Sequence, residues 1–95
     1  MDKILNNLGL CFRARGLVSG AEIVVEELRK GKICLIFLAS DASENTKKKI
    51  LDKASFYKTE VNESYASEEL SYAIGKSGRM VLGITQKSFL KILKK

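Results

Sequence analysis

The chain has 95 residues, 45% of them apolar, which is enough for one modest core and too many for a disordered segment. Its longest apolar run, Ile33 to Ala39, falls far short of the roughly 20 residues a membrane span needs. The opening Met1-Asp2-Lys3 has no secretory apolar core, so a soluble cytoplasmic protein without a membrane partner is expected. Seventeen Lys and Arg against eleven Asp and Glu leave a formal charge of +6, which favours a polyanion such as nucleic acid.

Ile4, Leu5, Leu8, Cys11 and Phe12 fall on one helical face that ends near Gly16. Leu17-Val18 is a short extended piece. Ala21, Val24, Val25 and Leu28 then recur at i, i+3, i+4 and i+7, the spacing of an amphipathic helix. Lys30-Gly31 stops it, with cations in the last turn and a glycine where a left-handed cap belongs. Ile33 to Ser40 is nearly all apolar and suits a strand buried on both faces.

Asp41 or Ser43 can cap a helix starting at Glu44, whose inner face the spacing assigns to Ile50, Leu51, Ala54 and Tyr57. Val61 falls on a short edge strand, and Leu70, Ala73 and Ile74 mark a short helix closed by Gly75. Met80 to Thr85 reads as a further strand, and Phe89, Leu90 and Leu93 line a last helix. Helix and strand thus alternate from end to end. That order predicts an α/β fold in which a mixed, largely parallel sheet lies between helices as three short layers.

The chemistry-bearing residues collect at junctions. Loops that leave strands and enter helices gather along one edge of such a sandwich, where free backbone N–H groups and the positive dipole end favour phosphate. Ser19-Gly20-Ala21 opens the second helix, and Gly20 permits close approach of an RNA backbone. Asp41 to Thr46 opens the third, followed by Lys47, Lys48 and Lys49. Consecutive lysines cannot all face one ligand, although Lys49 and Lys53 share a face at i, i+4. Lysines near a helix N-terminus oppose the dipole, a cost that a bound polyanion offsets.

Gly75-Lys76-Ser77-Gly78-Arg79 joins two glycines to two cations in a loop suited to wrapping a phosphate or stacking a guanidinium on a base. Lys87, Lys91, Lys94 and Lys95 read as a solvated helix face. Histidine is absent, and no cluster of nucleophile and base stands out, so no catalysis is expected. Cys11 and Cys34 read as free thiols among apolar neighbours, with no metal site and no cofactor implied.

The stretch Gly16-Leu17-Val18-Ser19-Gly20, the helix ending at Arg29-Lys30-Gly31, the strand Leu35 to Ala39 and Ser40-Asp41-Ala42-Ser43 form one pattern. With Leu70-Ser71-Tyr72-Ala73-Ile74-Gly75, it resembles the kink-turn-binding ribosomal proteins of the L-seven-Ae/L-thirty-e family, and Ala39 to Lys49 looks most like their bacterial YlxQ-type branch. The resemblance implies a three-layer α-β-α sandwich with a small mixed four-stranded sheet. It also implies one RNA-binding domain over residues 1–95 and a ribosome- or translation-associated role without catalysis.

Kink-turn binders of this family read sheared G·A pairs with an Asn-Glu pair and a Lys at the start of the second helix. Here those positions are Glu22, Ile23 and Glu26. Ile23 offers no acceptor to a guanine edge, and the two glutamates bring negative charge to phosphates. A good bidentate base contact is worth about 1–3 kcal/mol of discrimination, so these exchanges bear on kink-turn preference directly.

The RNA contacts then expected are Gly20, Ala21, Glu22, Ile23, Lys47, Lys49, Gly75, Lys76 and Arg79. The expected partners are a structured or ribosomal RNA and, beside it, ribosomal or translation proteins. The even spread of charge suggests a monomer. A second reading takes Ile23, an apolar residue off the inner stripe of its helix, as the mark of a protein-interaction module that has kept the fold and lost RNA reading.

Overall fold

The computed structural model describes residues 2–94, so Met1 and Lys95, the latter one of the terminal lysines read as a solvated face, lie outside the described residues. The elements are α1 (Lys3–Arg13), β1 (Leu17–Ser19), α2 (Ala21–Arg29), β2 (Leu35–Leu38), α3 (Glu44–Phe56), β3 (Val61–Asn62), α4 (Ser67–Ala73), β4 (Val81–Ile84), a 3₁₀ turn at Lys87–Phe89 and α5 (Leu90–Leu93). Helices α2 and α3 pack together on one face of the sheet, and α1, α4 and α5 pack together on the other. This is the three-layer α-β-α sandwich.

The four longer helices stop in the same way. In each, the residue after the cap has a left-handed backbone, and the next N–H reaches back to a carbonyl of the last turn. The closing bonds are Gly16 to Cys11, Lys32 to Glu27, Thr59 to Ala54 and Lys76 to Ser71, all between 2.8 and 3.0 Å. Gly31 and Gly75 take the left-handed position in α2 and α4, but Arg15 (φ 60°) and Lys58 (φ 57°) take it in α1 and α3. Gly16, where the pattern of the sequence ends α1, serves packing instead. A Cβ there would lie 2.9 Å from the Cys11 sulfur.

The sheet corrects one expectation. Its order is β1-β4-β2-β3, and only β2 with β3 is a parallel pair. Strand β4 inserts between β1 and β2 and pairs antiparallel with both, placing Ser19 opposite Leu82 and Leu38 opposite Val81. Strands β1, β2 and β3 do run the same way, as helical crossovers require. Alternation of elements dictates strand direction, however, and not which strands become neighbours.

The core fills the space on both sides of β2 and β4, whose residues Leu35–Leu38 and Val81–Ile84 are all buried. Helix α3 is narrower on its inner side than its spacing predicts. Ile50 and Ala54 are buried, whereas Leu51 and Tyr57 are each 37% exposed. An i, i+4 pair suffices for a helix that packs on β2 and α2 by one edge, and the flanking apolar residues face solvent. Cys11 and Cys34 are free thiols, the first buried and the second half-buried. Burial pushes the Cys11 thiol up to about 11, which leaves it protonated and unreactive.

Candidate nucleic-acid interface

Three segments meet at the sheet edge where β1 and β2 end and β4 begins. The first is the entrance to α2. Gly20 adopts φ 109°, a backbone region essentially closed to side chains, with open space where a Cβ would project. Its N–H donates to the Val81 carbonyl at 2.9 Å, and its carbonyl accepts from the Val24 N–H at 3.0 Å. No side chain caps α2. Among the described residues no acceptor meets the N–H groups of Ala21, Glu22 and Ile23, so they point outward at the positive end of the helix.

The second segment leaves β2. Ala39 donates its N–H to the Met80 carbonyl and Ser40 to the Tyr65 carbonyl, both at 2.8 Å. Ser43 caps α3, its hydroxyl accepting from the Thr46 N–H at 3.2 Å. Asp41 does not cap α3 at all. Its carboxylate crosses to α4 and accepts from the Ser67 N–H at 2.7 Å and the Ser67 hydroxyl at 2.8 Å. Those bonds hold the Asp41 carboxyl below its ordinary value, with the charge of Lys47 a lesser cause. Ala66 precedes helix α4 in the capping position, and its methyl side chain offers no acceptor. Asp41 supplies that acceptor from elsewhere in the chain, and Glu69 accepts the Ala66 N–H at 2.9 Å.

The third segment is the loop from Gly75 to Arg79. Gly75 (φ 71°) and Gly78 (φ 66°) both take left-handed backbone. Ser71, the buried polar side chain of α4, fixes the end of the loop. It accepts the Arg79 N–H at 2.8 Å and donates to the Arg79 carbonyl at 3.3 Å. Arg79 itself is half-buried, and no described residue accepts from its Nε. The Lys76 ammonium rests 5.6 Å from the centre of the Phe12 ring on α1, a cation–π contact that holds it beside the loop.

The residues expected from the sequence therefore divide. Gly20 bonds to Val81, two residues past Arg79, so the bare helix end and the exit of the cationic loop share one edge. Lys47 is half-buried and stands near Asp41. Lys49 is elsewhere: it lines a groove between α2 and α3 with Glu22, Val25, Glu26 and Arg29. Ile23 is 51% exposed.

Two further residues belong to this edge. Ser71 positions Arg79, and Tyr72, 73% exposed, lines a groove of about 440 Å³ with Lys76, Ser77 and Gly78. An aromatic residue on the outer side of α4, just ahead of a glycine-cation loop, is the signal that identifies Tyr72. Glu68 lines the same groove and opposes an anion there.

The model of the ribosomal protein L7Ae/L30e/S12e/Gadd45 family matches residues 2–94. The chain belongs to this family. Two relatives carry the name RNA-binding protein YlxQ. That of Enterococcus faecium is 41% identical over 90 residues, covering 95% of this chain and 86% of the relative. That of Bacillus subtilis (strain 168) is 40% identical over 82 residues, 86% of this chain and 82% of the relative. These matches bear out the YlxQ-type branch that the pattern around Ala39 to Lys49 resembles.

Among solved structures, a Bacillus halodurans protein of unknown function superposes with a TM-score of 0.93 at 41% identity, covering 98% of this chain and 94% of that one. The Giardia lamblia 15.5kD RNA binding protein superposes with a TM-score of 0.79 at 17% identity, covering 96% and 78%, which speaks for the fold alone. In this L7Ae/L30e-family chain Glu22, Ile23 and Glu26 are all exposed on α2. Their departures from the kink-turn pattern thus lie on the surface and are not exchanges forced by the core.

Proposed function

We propose that this chain is a non-catalytic RNA-binding protein whose residues 1–95 act as one domain. It takes a structured, bent RNA along the edge formed by the α2 entrance and the Gly75–Arg79 loop, as a ribosome- or translation-associated factor of the cytoplasm. The observation that carries the reading is the bond from the Gly20 N–H to the Val81 carbonyl, which sets an uncapped helix end beside the strand that the Gly75–Arg79 loop enters. Free N–H groups hold one phosphate, and the cationic loop holds a neighbouring strand where an RNA backbone folds sharply. The formal charge of +6 and the family's YlxQ relatives support the same reading.

Glu22, Ile23 and Glu26 set its limit. They replace base-edge contacts with repulsion and an apolar side chain, so shape and phosphate carry more of the binding than G·A pairs do. The test compares a labelled kink-turn RNA with the same RNA whose G·A pairs are made Watson–Crick, each at two salt concentrations. Tighter binding of the bent RNA with a steep salt slope is expected, each neutralised phosphate adding roughly 0.7–0.9 to that slope. Equal affinity for the two RNAs removes the kinked target, and absence of binding removes structured RNA as the ligand of this edge.

Ile23, 51% exposed in the first turn of α2, favours one second reading, a protein partner seated on the same surface. In that case the chain has lost RNA reading, and Ile23→Asp abolishes capture of ribosomal or translation proteins. An unchanged set of partners removes it.

A further inference from the structure

We propose that the far end of α3 is a separate stacking site for single-stranded RNA. Phe56 and Tyr57 end the helix with 77% and 37% of their surfaces exposed, and neither belongs to the core that Ile50 and Ala54 serve. Their rings meet edge to face, with 4.9 Å between centroids and 83° between planes. This fixed pair forms one wall of a cleft of about 340 Å³ whose other lining residues are Lys49, Asp52 and Lys53. Lys58, exposed and in left-handed backbone, follows the aromatic pair directly in the chain.

Cations interleaved with exposed rings match single-stranded nucleic acid, in which a charged backbone alternates with flat π-faces. Lys49 and Lys53, one turn apart on one face, lie at the right place for successive phosphates, and Phe56 for the base between them. A purely apolar partner has no use for the lysines, and an acidic one has none for the rings. The site is distinct from the sheet edge. At about 1.5 Å per residue, Phe56 stands about 18 Å along α3 from Glu44. The inference goes beyond the bent-RNA reading and does not depend on it.

The experiment measures binding of a fluorescein-labelled eight-nucleotide oligouridylate to the wild-type chain and to Phe56→Ala, Phe56→Trp, Lys53→Glu and Lys91→Glu. Phe56 is exposed, so its variants are expected to keep the wild-type melting temperature. Loss of one base–aromatic stack weakens binding by about fivefold or more, which is the expectation for Phe56→Ala. Phe56→Trp retains the affinity, and its indole, the sole tryptophan in a chain that has none, is quenched on binding.

Lys53→Glu weakens binding and flattens the salt dependence, while Lys91→Glu, on the solvated face of α5, leaves the oligouridylate affinity unchanged. An affinity indifferent to Phe56→Ala, or an indole emission that binding leaves unaltered, overturns the proposal. Displacement of the oligouridylate by polyglutamate at equal charge, with no effect of Phe56→Ala, also overturns it, since the lysines then attract any anion. Phe56-dependent binding of the oligouridylate with no binding of kink-turn RNA upholds this site and sinks the bent-RNA reading alone.

Discussion

Two helices start at the same edge of the sheet and are finished differently. Helix α3 begins at Ser43, whose hydroxyl takes the Thr46 N–H, and the neighbouring start of α4 is closed by Asp41 and Glu69. Helix α2 begins at Gly20 with no side chain in that role, leaving its first N–H groups unpaired among the described residues. From sequence both junctions look like phosphate sites, because each places turn-forming polar or glycine residues ahead of a helix. The structure separates them. Ser43 takes one of the first donors of α3, the Thr46 N–H, whereas the glycine entrance keeps all three of its first donors to offer.

The strongest challenge to that contrast is Gly20→Ala. Nothing lies within 4 Å of the new methyl group, so its effect comes from the backbone alone. Holding a side chain at φ 109° is expected to cost about 1–3 kcal/mol. Thermal unfolding should then fall by about 4–8 °C for each kcal/mol in a domain of this size. RNA affinity should fall with it, measured well below the new melting temperature. A folded Gly20→Ala protein that binds RNA as the wild type does would show that the α2 entrance is not the phosphate site.

Arg79→Glu comes next and tests the loop. Removing one phosphate partner and placing a negative charge there is expected to weaken structured-RNA binding about tenfold and to lower the salt slope by about 1. Lys49→Glu sharpens the map. Lys49 faces the groove that contains Glu22 and Glu26, and a drop in structured-RNA affinity as large as that of Arg79→Glu would extend the footprint from the sheet edge to the α2–α3 groove. No change would confine the footprint to the edge.

Ser43→Ala should do the reverse of Gly20→Ala. It removes the α3 cap, worth about 1 kcal/mol, and is expected to lower stability in chemical denaturation without moving RNA affinity. An RNA defect with Ser43→Ala would erase the distinction between the two entrances.

The legible part of the molecule was its periodic part. Val24, Val25 and Leu28, and the run from Leu35 to Leu38, announced a buried helix face and a buried strand, and both are buried. The helix stops at Gly31 and Gly75 could be read because glycine tolerates left-handed backbone, whereas Arg15 and Lys58 take the same position with nothing in their chemistry to signal it. The insertion of β4 between β1 and β2 was not legible either, since pairing is set by long-range packing that no local spacing encodes.

At the candidate site, glycines and cations drew the outline. The partnership of Asp41 with Ser67, that of Ser71 with Arg79 and the separation of Lys49 from the loop required coordinates. Each joins side chains that only the folded sheet edge brings together, or parts two that the sequence sets side by side.

Asp41 offers the smallest and most specific prediction. In the folded chain the Ser67 N–H and hydroxyl hold its carboxyl below the ordinary value of 3.8. A carboxylate with a depressed folded-state pKa contributes stability that is fully present above the unfolded value. That stability is lost as pH falls through the folded one. Asp2 is depressed as well, chiefly by the Tyr65 hydroxyl, so acid unfolding of the wild type alone would not separate the two. The difference between the wild type and Asp41→Asn does separate them, because Asp2 is common to both. That difference should be constant from neutral pH down to about 5 and should shrink below 3.8 as Asp41 takes up its proton. RNA affinity at neutral pH should be the same in both proteins, since Asp41 ties α4 to the sheet edge and donates nothing to a phosphate. A stability difference that persists undiminished into acid would mean that the charge on Asp41 is not what holds the start of α4.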